Sequence, residues 1–146
     1  MHHNSERPEW QSIVWYLQAR LRDPVQLLHV AYDGTGADPH AYASQEAAAF
    51  ACFLARHVPR LHITTRSLAE LRAEVPQLAD DAPAFLVATD GGWRIRYLGV
   101  PLGSELQPFL EALVLLSRQE APFPPVTLSL LQKLAPVRLG FYFTPT

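Results

Sequence analysis

Residues 82–110 run Ala-Pro-Ala-Phe-Leu-Val-Ala-Thr-Asp-Gly-Gly-Trp-Arg-Ile-Arg-Tyr-Leu-Gly-Val-Pro-Leu-Gly-Ser-Glu-Leu-Gln-Pro-Phe-Leu. Pro83 opens a short apolar run, Ala84 to Ala88, at a position where a missing N–H is tolerated in a sheet. Asp90-Gly91-Gly92 supplies the positive-φ positions of a tight hairpin. Trp93 to Leu98 then returns antiparallel. Strict alternation predicts Trp93, Ile95 and Tyr97 on one face, with Arg94, Arg96 and Leu98 on the other. Gly99-Val100-Pro101-Leu102-Gly103 turns the chain, and Ser104 is the expected N-cap of an apolar helix reaching Arg118. The order is therefore proline, strand, hairpin, strand, glycine turn, helix.

This order resembles the second half of a thioredoxin fold, in which a cis-proline precedes the third strand. The stretch is similar to the thioredoxin-fold units of protein disulfide oxidoreductases and to the N-terminal region of the alkyl hydroperoxide reductase flavoprotein subunit. The most specific match is Tyr97-Leu-Gly-Val-Pro-Leu-Gly-Ser-Glu-Leu106. In both families an aromatic residue, a glycine, a proline, a second glycine and an acidic residue recur at this spacing. Gly99, Pro101, Gly103 and Glu105 occupy those turn positions here. The resemblance implies a cis bond at Ala82-Pro83, kept to hold the hairpin.

Working outward toward the N-terminus, Pro8 to Arg22 reads as a helix with Trp10, Ile13, Val14 and Leu17 on one stripe; Asp23-Pro24 ends it. Val25 to Tyr32 is a continuous apolar run suited to a central buried strand. Asp33-Gly-Thr-Gly-Ala-Asp-Pro-His40 has loop composition. Gly34 and Gly36 do not make a phosphate cradle, because no Walker lysine follows and Asp33 and Asp38 would repel the anion. Ser44 to His57 is an alanine-rich helix carrying Ala47, Phe50, Ala51 and Leu54. Leu61 to Thr65 is a second strand, parallel to the first. Ser67 to Val75 is a short helix with Ser67 and Glu70 at capping-box spacing.

Beyond Arg118, Gln119 to Pro125 is a proline-rich connector. Thr127 to Leu134 is a short helix, and Val137 to Phe143 alternates as a strand. Leu131 to Thr146 resembles the opening of the second thioredoxin unit of disulfide oxidoreductases, where a strand ending Thr-Pro-Thr runs into Cys-Pro-Tyr-Cys. The chain stops where that motif would begin, so the expectation is a shortened chain. Residues 1–120 would form a thioredoxin-like unit without redox cysteines. Residues 121–146 would be linker, short helix and the first strand of a second unit. The expected fold is α/β: a four-stranded mixed sheet with helices on both faces, plus that strand. Left without its native cover, Val137–Phe143 would be disordered, folded back, or paired with another copy in a homodimer.

Composition narrows the function. The 146 residues are 49% hydrophobic and 18% charged, with a net charge of −2. A chain of this length buries roughly 68% of its unfolded surface, enough for one core without staples. Nothing in the charge favours nucleic acid or anionic lipid, and no apolar run reaches the ~18 residues of a membrane span. A cytoplasmic location is the default expectation.

The single cysteine, Cys52, decides more than any other residue. It forbids an intrachain disulfide and a Cys-x-x-Cys pair. In an active thioredoxin unit the redox cysteines occupy the loop after the first strand, and here residues 33–40 hold no thiol. Cys52 falls mid-helix beside Gln45 and Arg56, away from the apolar stripe and from any source of a lowered thiol pKa. Six histidines (His2, His3, His29, His40, His57, His62) include no i, i+4 pair. Only His29 and His62, on adjacent strands, could meet, and no carboxylate or thiol accompanies them. No catalytic, cofactor or metal residues are therefore assigned. The resemblance implies a non-catalytic unit of a two-unit thiol-disulfide oxidoreductase, packing against the cysteine-bearing unit or docking a redox partner protein. The alternative is a standalone interaction module that has kept the fold and lost the chemistry.

Overall fold

The computed structural model describes residues 7–33, 39–74, 82–89, 92–135 and 139–140. Its elements, in chain order, are α1 (Pro8–Arg20), β1 (Val25–Ala31), α2 (Pro39–His57), β2 (Leu61–Ser67), α3 (Leu68–Glu74), β3 (Ala84–Thr89), β4 (Gly92–Leu98), α4 (Leu106–Arg118) and α5 (Pro125–Gln132). A 3₁₀ turn, Gly103–Glu105, leads into α4. The strands form one sheet in the order β2-β1-β3-β4. β1 and β2 are parallel, and β1–β3 and β3–β4 are antiparallel.

The apolar content of β1 explains its central place. Leu27, Leu28 and Val30 are all buried, because both faces of the strand are covered. One face carries Val25, Leu27, Phe85 and Val87. It packs against Trp10, Ile13, Val14 and Leu17 of α1, Ala47, Phe50 and Leu54 of α2, and Phe109 and Leu113 of α4. The other face carries Leu28, Val30, Ala84 and Leu86 and packs against Leu68 and Leu71 of α3. Among the described residues, α1, α2 and α4 cover one face and α3 covers the other.

Local chemistry sets most boundaries. Pro8 and Pro125 sit in the first turns of α1 and α5, where a proline's missing N–H costs nothing. α5 therefore starts at Pro125 rather than Thr127. α2 likewise begins at a proline, Pro39, rather than at Ser44. α3 is capped twice: the Ser67 hydroxyl accepts the Glu70 N–H at 3.2 Å, and Asp33 Oδ2 accepts the Ala69 N–H at 2.8 Å. The second half of the expected capping box is absent, since the Glu70 carboxylate turns to Arg66 at 3.4 Å.

Two further expectations are corrected. Ser104 is not the N-cap of α4: it lies inside the 3₁₀ turn, and α4 starts at Leu106 with no side-chain cap. Trp93 is not on the face of Ile95 and Tyr97. Val87 pairs with Ile95 while the next residue, Ala88, pairs with Trp93. The bulge leaves Arg94 as an extra residue on β4, which reverses the side-chain parity. Trp93 accordingly packs with the α3-side cluster, and Ile95 and Tyr97 with the other. The hairpin residues Asp90 and Gly91 lie outside the described residues. So does the expected strand Val137–Phe143, apart from Leu139 and Gly140, which are not in a strand.

Candidate functional site

The stretch around Pro83 joins three elements. The Ala82–Pro83 bond is cis and both residues are buried. The Pro83 carbonyl accepts the Gly99 N–H at 2.7 Å, closing the β3–β4 ladder just beyond the Ala84–Leu98 pair. Gly99 and Gly103 have φ of 84° and 68°, left-handed values that strain any side-chain-bearing residue. Between them Pro101 is buried, and the Leu102 N–H returns to the Val100 carbonyl at 2.7 Å. Tyr97 stands edge-on to Phe109, with ring centroids 5.0 Å apart. Burial pushes the Tyr97 phenol pKa up, and the negative charge of Glu105 adds to that rise. Gly99, Pro101, Gly103 and Glu105 thus gather where β4 gives way to α4.

His29 lies beside this stretch on β1, opposite Phe85 in the β1–β3 ladder. Its ring stacks on Phe85 at 5.1 Å with 25° between planes. Nδ1 shares a hydrogen bond of 3.2 Å with the Thr65 hydroxyl, while Nε2 is buried with no hydrogen-bond partner among the described residues. Burial lowers the His29 pKa and holds the ring neutral. His62 is not its neighbour: His62 pairs with Gln26, and His29 with Thr65. Three positions of offset also put the two rings on opposite faces of the sheet. Sequence reading missed the burial of His29, although the continuous apolar run around it was the available signal.

Cys52 is exposed on α2. No group of three or more His, Cys, Asp or Glu side chains among the described residues is placed to hold a metal ion. No described helix is long and apolar enough to cross a membrane. An open groove of about 470 Å³ runs between α1 and α4, lined by Tyr16, Arg20, Glu111, Val114 and Arg118 among others. Its two guanidiniums are engaged: Arg20 stacks over Tyr16 at 4.1 Å, and Arg118 Nε donates to the Arg20 carbonyl at 2.8 Å.

The unusual surface lies elsewhere. α5 buries none of its residues. Val126, Leu130, Leu131 and Leu134 are exposed on it and just past it, and Phe123 is exposed on the connector before it. Ala121 to Gln132 contains no charged residue. A short apolar helix with no buried side chain gains little stability from packing.

The backbone matches several solved structures. The alkylhydroperoxide reductase AhpF of Enterococcus faecalis superposes with a TM-score of 0.69 at 17% identity, over 89% of this chain and 61% of that one. The NTD_N/C domain of that reductase, solved separately, gives a TM-score of 0.63 at 18% identity, over 83% of this chain and 56% of that one. A protein disulfide oxidoreductase of Aeropyrum pernix gives 0.62 at 19% identity, over 88% and 55%. The chain has a thioredoxin-like fold. This thioredoxin-like chain spans less than two thirds of the length of the solved chains it matches. No family model and no curated protein sequence matches it.

Proposed function

We propose that this chain is a non-catalytic thioredoxin-like unit of a two-unit thiol-disulfide oxidoreductase, in a redox-homeostasis or peroxide-reducing system. Its task is to pack against the cysteine-bearing unit or to dock a redox partner, and the sulfur chemistry belongs to that partner. The observation that carries the reading is the exposure of Phe123, Val126 and Leu130 within the uncharged stretch Ala121 to Gln132. It is supported by the sequence after β1, where residues 33–40 contain no cysteine. Exchange needs a thiolate attacker and a resolving partner, and a lone thiol provides at most one of these. The cytoplasm is the proposed setting, where an exposed free thiol such as Cys52 stays reduced.

The test is a calorimetric titration of the purified chain with a Cys-x-x-Cys-bearing thioredoxin-fold unit of the same organism. Saturable one-to-one binding, abolished by Leu130→Asp, is expected. Binding that Leu130→Asp leaves intact would move the contact away from α5. A chain that binds no such unit is instead a standalone module.

A further inference from the structure

We draw no further inference here: the strongest candidate, the exposed apolar side chains of α5 and of the connector before it, belongs to the docking face proposed above, and nothing in the structure shows what covers it.

Discussion

Ser117, fully buried on α4, holds both backbone groups of the turn that ends α1. Its hydroxyl accepts the Arg22 N–H at 2.7 Å and donates to the Asp23 carbonyl at 2.7 Å. Nearby, the Asp23 N–H reaches the Ser117 carbonyl at 3.3 Å, and Arg22 Nη2 donates to the Arg118 carbonyl at 2.7 Å. The chain's first helix is thereby fixed to its fourth by polar contacts at their C-terminal ends, above the shared apolar core.

Ser117→Ala removes one side of two part-buried hydrogen bonds and takes from the Arg22 N–H and the Asp23 carbonyl their Ser117 partner. A loss of about 1–3 kcal/mol in denaturant unfolding is expected. Ser12→Ala is the control, because the exposed Ser12 hydroxyl reaches only the Pro8 carbonyl at 3.4 Å. Its effect should stay within about 0.5 kcal/mol.

Phe85→Ala should be far more damaging. Phe85 is fully buried, stacks on His29, and meets Phe50 and Phe109 edge-on at 6.1 and 6.2 Å. A cost of about 3–5 kcal/mol is expected from the lost transfer energy and the cavity left behind. Equilibrium unfolding monitored by circular dichroism measures it.

His29 gives the fold a defined pH dependence. Its folded pKa is below the ordinary value of 6.5, because burial penalises the imidazolium. Well above pH 6.5 neither folded nor unfolded chain holds the proton, so stability from this group is level. As pH falls below 6.5 the unfolded chain takes up the proton first, and stability declines until the folded pKa is passed. Carboxylates such as Glu74, whose pKa is lowered by the hydrogen bond from Arg66, lose their contribution only at lower pH. His29→Leu should flatten the stability profile between pH 7 and 5. A variant profile parallel to that of the parent would assign the slope to other groups.

The core and the proposed docking surface should separate by mutation. Leu130 is 60% exposed, so Leu130→Asp should alter unfolding free energy by no more than about 0.5 kcal/mol. The same change should weaken binding of the cysteine-bearing unit by about tenfold or more, roughly 1.4 kcal/mol. The paired measurements are denaturant unfolding and calorimetric titration.

Much of this arrangement is legible in the residues. The continuous apolar run of β1, the stripe of Trp10, Ile13, Val14 and Leu17, and the run from Pro83 through the Gly99–Gly103 turn each carry a local pattern with one reading. What is not legible depends on distant partners. The Arg94 bulge leaves the alternation of β4 intact in sequence, and only its pairing with β3 turns Trp93 to the other face. The Asp33 cap on Ala69 joins residues 36 apart, which no local capping signature covers. The burial of the His29 ring is likewise set by what packs over β1. For the candidate site, the cis bond at Pro83 and the glycine turn follow from the resemblance that residues 82–110 carry. The exposure of α5 does not, because an apolar helix reads the same whether its neighbours cover it or not.

Turnover of a disulfide substrate tests the central claim most directly. The purified chain is added to insulin and dithiothreitol, and precipitation of the reduced chains is followed by turbidity, for the parent and for Cys52→Ser. A chain without sulfur chemistry of its own leaves the rate at that of dithiothreitol alone in both cases. An acceleration by the parent that disappears in Cys52→Ser would contradict the account.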